Sequence, residues 1–157
     1  MIGLSIIAAL LFVVMLIVVI GKYGVPEMVS SIYYLLGKSG WVFQIVMMSV
    51  GMLMLMCLLD CEKGVQCLAF LACGGLMFVG AAPRFMNEDR GVHKAAAIVS
   101  AAASVGWCLT VNWRIVVALL GWYVVYWACR SEDDHPWLMA EVTAIWMVLL
   151  TFWSTVG

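Results

Sequence analysis

The chain has 157 residues, 66% of them hydrophobic and only 11% charged, with a formal net charge of −1. Ordinary globular domains carry roughly a quarter charged residues, and a chain this short has too little interior to hide so much apolar surface from water. A water-soluble fold is therefore excluded. So is a nucleic-acid partner, because neutralising phosphates requires clustered Lys and Arg, and no basic tail is present to hold anionic lipid. Lipid is the solvent that fits this composition.

About 20 apolar residues cross a bilayer as a helix, so spans can be cut from the uncharged runs. The first covers residues 2–21. It is expected to remain as an anchor and not to be a signal peptide, since no Lys or Arg precedes it, its apolar core is too long and no small-residue cleavage site follows. Next comes GVPEMVSSIYYLLGKSGW, which is apolar but too short to cross. Pro26 can open a helix there, Glu27 complements the positive end of its dipole and Gly37 can close it in a left-handed cap. A short helix over residues 26–36 is predicted, lying in the membrane interface or dipping back into the bundle.

Span two covers residues 40–59, closed by Asp60, Glu62 and Lys63, and span three covers 65–82, closed by Pro83 and Arg84; the tight turn makes them an antiparallel hairpin. From Ala95 to Cys129 the only charge is Arg114, in a stretch too long for one crossing. It divides into spans four and five, 93–111 and 114–129, joined around Asn112, Trp113 and Arg114. Span six covers 137–156, with Glu141 one turn inside. Trp41, Trp113, Trp137, Trp153 and Tyr23 lie near these span ends, where amphipathic rings favour the headgroup layer. The fold class is thus all-α: a polytopic transmembrane helical bundle of six spans in a single domain, with no repeat or linker.

Six spans send the loops alternately to two faces. One receives Lys22, Glu27, Lys38, Arg84, Glu88, Asp89, Arg90, Lys94, Arg130, Glu132, Asp133, Asp134 and both histidines; the other receives Asp60, Glu62, Lys63 and Arg114. Counting Lys and Arg alone, the richer face, with loops 22–39, 83–94 and 130–136, is expected to be cytoplasmic.

Within APRFMNEDRGVHK, Asp89 and His93 are spaced i, i+4, so on a helix they share one face, where a carboxylate can orient an imidazole for proton transfer. His93, Ala97, Ser100 and Ser104 continue as a stripe of polar and small side chains that suits either a hydrated path or ligand cleft, or close helix packing. Gly74, Gly75 and Gly80 thin span three, so spans three and four are expected to touch. Glu141 is costly inside a span unless it finds a partner or water. It is expected to pair with His93, Arg84 or Arg90 near the level of Gln44, or to reach back to the headgroups. SEDDHP lacks the spacing of a calcium loop and reads as a solvated turn. Cys57, Cys67, Cys73, Cys108 and Cys129 fall in or beside apolar runs and Cys61 in a turn, as small hydrophobes and not a disulfide or metal framework. Methionines in MMSVGMLMLM scatter around the helix as adaptable packing.

The glycine-rich third span, charged loop and histidine-led fourth span in FVGAAPRFMNEDRGVHKAAAIVSAAASVGW resemble the Frag/DRAM/Sfk-type and related six-helix membrane proteins. Together with VPEMVSSIYYLLGKSGWVFQ, the pattern also resembles small bacterial integral-membrane proteins. The resemblance implies a six-helix bundle in a bacterial cytoplasmic (inner) membrane and singles out His93; it brings no catalytic mechanism. Ceramidase-type hydrolases use several histidines with an aspartate and a serine around zinc, and this chain has only His93 at a span.

Three functions follow as expectations. The first is a non-enzymatic module that binds an amphipathic ligand or forms an oligomeric path for a small solute or ion, with His93, Ser100, Ser104, Gln44, Glu141, Arg84 and Arg90 lining it. The second is an intramembrane enzyme on a lipid headgroup, with His93 as base oriented by Asp89 or Glu141. The third is an accessory subunit whose Trp122, Trp127 and Trp146 contact a larger membrane partner. No phosphate loop, dinucleotide fingerprint, HExxH or GxSxG is present, so no metal and no cofactor is assigned; membrane lipid is the expected surrounding partner.

Overall fold

The computed structural model describes residues 1–81, 90–131 and 134–156, with the side chain of Arg90 outside that description. The described residues form six α-helices and no strand: α1 (Ile2–Tyr23), α2 (Ile32–Leu35), α3 (Gly40–Asp60), α4 (Gln66–Ala81), α5 (Arg90–Cys129) and α6 (Pro136–Val156). Of these, α1, α3, α5 and α6 are long and apolar enough to cross a membrane, and α4 is a shorter apolar helix of 16 residues. The protein is a helical bundle with the dimensions and composition of a membrane protein.

The 40 residues of α5 would reach about 60 Å if straight, twice the hydrocarbon thickness. They are not straight. Asn112 leaves the helical region at φ −151, ψ 83, and its Nδ2 donates to Ser154 Oγ at 3.1 Å, near the end of α6. Farther on, the Tyr123 hydroxyl donates to the Pro136 carbonyl at 3.2 Å, at the start of α6. The second half of α5, residues 113–129, therefore runs back along α6. The break falls where the only interior charge, Arg114, and its neighbours predict the join between spans four and five.

The first half of α5 packs antiparallel to α4, α4 packs on α3, and α3 on α1. Glycine sets two of these distances. A Cβ on Gly75 would lie 2.7 Å from Ser100 Cβ and 3.1 Å from the Ala96 carbonyl, and one on Gly80 would lie 2.8 Å from Met47 Cβ. Thus α4 touches α5 through Gly75 and α3 through Gly80, whereas Gly74 meets nothing within 4 Å and faces outward. The contact is sealed where the Ser100 hydroxyl donates to the Ala72 carbonyl at 2.7 Å. At the far end of this hairpin, Trp107 Nε1 donates to the Lys63 carbonyl at 3.1 Å, and Gly64 takes φ +65 with no room for a Cβ beside Val111 and Thr110.

Phe12, Phe43, Trp107 and Phe152 are fully enclosed, while Ile17, Phe70, Phe78, Val117, Trp122 and Val124 are each more than half exposed. An exterior of that kind is unstable in water but indifferent in lipid. There, cohesion comes from close packing and hydrogen bonds between helices rather than from expelling water. Trp41, Trp113, Trp137 and Tyr23 stay exposed near helix ends, as interfacial rings should. Trp153 departs from that expectation: its Nε1 turns inward and donates to Ser5 Oγ of α1 at 2.9 Å, and its ring meets Trp146 edge-on at 6.1 Å.

The helix predicted over 26–36 is not formed as one piece. Two short 3-10 turns, Val29–Ser31 and Gly37–Ser39, flank the four residues of α2, and Pro26 does not open a helix. Met28 is extended at φ −155, ψ 160, and on either side of it the Glu27 carbonyl and the Val29 amide are bonded to α6. Gly37 does take the left-handed φ, +52, that the sequence assigns to it as a cap. The segment dips into the bundle, with Val29 and Ile32 buried against the core.

Candidate functional site

Pro26 interrupts any helix forming from Tyr23 onward, so the segment 24–39 carries backbone groups its own turns cannot satisfy. The start of α6 likewise presents amides with no intrahelical partner. The two needs are met by each other. Leu138 N–H donates to the Glu27 carbonyl at 3.1 Å, and the Glu141 carboxylate accepts the N–H of Val29. Val29 opens a 3-10 turn, so the Glu141 charge sits at the positive end of that turn.

Beside this junction lies a cavity of about 340 Å³. Its walls come from α1 (Ala8), the 24–39 segment (Val29, Ser30), α3 (Met47, Val50, Met54), α4 (Ala72, Cys73), the first half of α5 (Ala97, Ser100, Ala101, Ser104) and α6 (Trp137, Glu141, Ala144, Val148). The small residues of α5 and α6 explain why the space exists: Ala97, Ala101, Ala140 and Ala144 all line it, and side chains this short leave it unfilled. Ile98 and Trp137, both lining residues, are each 68% exposed, so the cavity opens outward between α5 and α6. Among the described residues that line it, Glu141 is the one carboxylate, and none is a Lys, Arg, His or Asp.

Of the residues singled out from the sequence, Glu141, Ser100 and Ser104 meet at this cavity. Ser100 serves both readings of its stripe, lining the space while bonding Ala72 across the helix contact. His93 and Gln44 do not join them. Gln44 Nε2 is turned toward the Ala81 carbonyl at 3.4 Å, and His93 Nδ1 is buried without a hydrogen-bond partner among the described residues. Both stand near the α4–α5 end of the bundle and outside the cavity lining. Arg84 and Asp89, and with them the Asp89–His93 contact, lie outside the described residues, as does the Arg90 side chain. Among the described residues Glu141 accepts the Val29 amide, while the Arg84 and Arg90 side chains of its expected pairing lie outside them. Sequence reasoning missed that amide because a backbone donor leaves no mark in side-chain chemistry. The available signal was Pro26 in an apolar segment too short to satisfy itself.

Elsewhere, two polar side chains act within or beside their own turn. Asp134 accepts the Ser131 amide at 2.7 Å within its turn, and Arg130 covers the Trp127 ring at 4.5 Å. Among the described residues no group of three or more His, Cys, Asp or Glu is gathered in a way that could hold a metal ion. Comparison of the chain with family models, with curated proteins and with solved structures gives no match.

Proposed function

We propose that the chain crosses a bilayer six times and works as a non-enzymatic binding module, taking an amphipathic molecule from the lipid into the cavity beside Glu141. The observation that carries this reading is the cavity itself: an apolar space of about 340 Å³ with one acid on its wall and a mouth on the outer surface of the bundle. Sites for small molecules are mostly apolar, of roughly 300–1,000 Å³, with a few placed polar groups that fix orientation. An ion path would need a continuous polar lining instead. The enzymatic reading has less support, because His93 and Glu141 do not share the cavity.

Six crossings place Lys94 and Cys129 on one side and Cys61 on the other. Single-cysteine proteins retaining Cys61 or Cys129, or carrying Lys94→Cys, in sealed vesicles are expected to give Lys94→Cys and Cys129 the same accessibility to an impermeant maleimide, opposite to Cys61. Labelling of Lys94→Cys and Cys129 from opposite sides would make α5 a single crossing and overturn the topology.

The cavity is tested by Ala144→Phe, which puts a ring into the space. Native mass spectrometry of the protein with added dodecanol is expected to show one bound molecule, lost in Ala144→Phe while the thermal midpoint is kept. Equal binding by both proteins would place the bound molecule elsewhere and sink the proposal.

A further inference from the structure

The cavity has a sign as well as a size. Among the described residues its lining carries one carboxylate and no cationic side chain, and the neutral hydroxyls of Ser30, Ser100 and Ser104 are the other side-chain oxygens there. The Ser100 hydroxyl already donates to the Ala72 carbonyl, and Glu141 accepts one backbone N–H, that of Val29. A carboxylate in a low-dielectric setting is costly unless an opposite charge or several donors compensate it. One amide supplies part of that, and among the described residues no side-chain cation supplies the rest. Trp137 is placed four residues before Glu141, so the two share one face of α6, and both line the cavity. A carboxylate next to an indole face is the pairing that recognises alkylammonium groups, by charge on one side and by the ring quadrupole on the other.

We infer that the molecule held in the cavity is a single-chain lipophilic amine, its ammonium between Glu141 and Trp137 and its chain along the apolar walls of α3, α4 and α5. This inference rests on the binding role proposed above and names the ligand's chemistry. The volume lies near the lower limit for small-molecule sites, which suits one chain and not a two-chain lipid. An anionic head would be set against the Glu141 charge, and a neutral head would bring no counterion to it.

The test compares dodecylamine, dodecanol and dodecanoate at equal concentration with the full chain in a neutral detergent, with bound stoichiometry read by native mass spectrometry. The amine is expected to bind at least tenfold more tightly than either of the others. Glu141→Gln, which keeps an acceptor for the Val29 amide, is expected to bring the amine down to the level of dodecanol, and Trp137→Leu to weaken the amine alone. Equal binding of all three heads, or a preference for dodecanoate, overturns the inference while leaving a binding cavity in place. Binding of none of them removes the cavity reading as well. The ranking of heads in the unaltered protein decides the matter even where a variant does not fold, and a Glu141→Gln protein that folds and still prefers the amine assigns the preference to another group and overturns it.

Discussion

Gly75 and Gly74 are adjacent in sequence and opposite in surroundings, so replacing each with alanine isolates the helix contact that shapes the cavity. A methyl at position 75 would sit 2.7 Å from Ser100 Cβ, 3.0 Å from Ser100 Cα and 3.1 Å from the Ala96 carbonyl. Carbon atoms prefer about 3.5–4.0 Å, so α4 and α5 must separate by on the order of 1 Å. Two of the three obstructing atoms are backbone and cannot swing aside. The Ser100–Ala72 hydrogen bond, 2.7 Å long, would then stretch past the range of a good O–H···O contact, at a loss of roughly 0.6–1.7 kcal/mol within a membrane bundle. Overpacking adds about 1–3 kcal/mol, against which alanine gains up to about 1 kcal/mol in helix propensity. With that full gain, the net expectation for Gly75→Ala is a destabilisation of roughly 1–4 kcal/mol. For Gly74→Ala, with nothing within 4 Å, the propensity gain stands alone and the change is neutral or stabilising by up to about 1 kcal/mol. Equilibrium unfolding in mixed micelles, from mild detergent to dodecyl sulfate, measures both. Equal stability of the two variants, or a larger loss at position 74, would refute the assigned packing of α4.

Glu141→Leu leaves the Val29 amide without its acceptor, at about 1–3 kcal/mol, and should speed protease cleavage in the segment 24–39; Glu141→Gln should cleave at close to the unaltered rate. Similar acceleration in both would show that charge, and not the accepted hydrogen bond, holds the segment. Asn112→Ala and Ser154→Ala each remove the bond across the α5 reversal, so their combined cost in the same unfolding assay should fall short of the sum by about 0.5–1 kcal/mol, whereas strict additivity would mean the two side chains do not interact. Trp107→Phe keeps an aromatic ring, though a smaller one, and deletes the donor to the Lys63 carbonyl, with an expected loss of at least about 1 kcal/mol. An unchanged midpoint would assign Trp107 a packing role alone.

The apolar runs themselves dictated where helices form, because charged and turn-forming residues cannot be carried through lipid and mark the limits of each run. Asp60 closes α3, and the join around Asn112 is legible because the stretch is about twice as long as one crossing needs. The thinness of α4 was equally legible from its glycines, though not that Gly75 serves α5, Gly80 serves α3 and Gly74 neither, since that depends on the rotation of the helix. In the candidate site, an acid inside an apolar span announced Glu141 and a small-residue stripe announced Ser100 and Ser104. His93 and Gln44 were grouped with them by their shared end of the bundle, but a common level along the membrane normal does not fix which way a side chain points around its helix. The partner of Glu141 lay furthest from the sequence. It is a backbone amide 112 positions away, exposed for bonding by a segment that could not complete its own helix. Composition and periodicity decide what must be hidden from water. Only the packing of one helix against another decides which polar groups meet, because that depends on rotation and register, which apolar patterning leaves nearly free in a chain hydrophobic on every side.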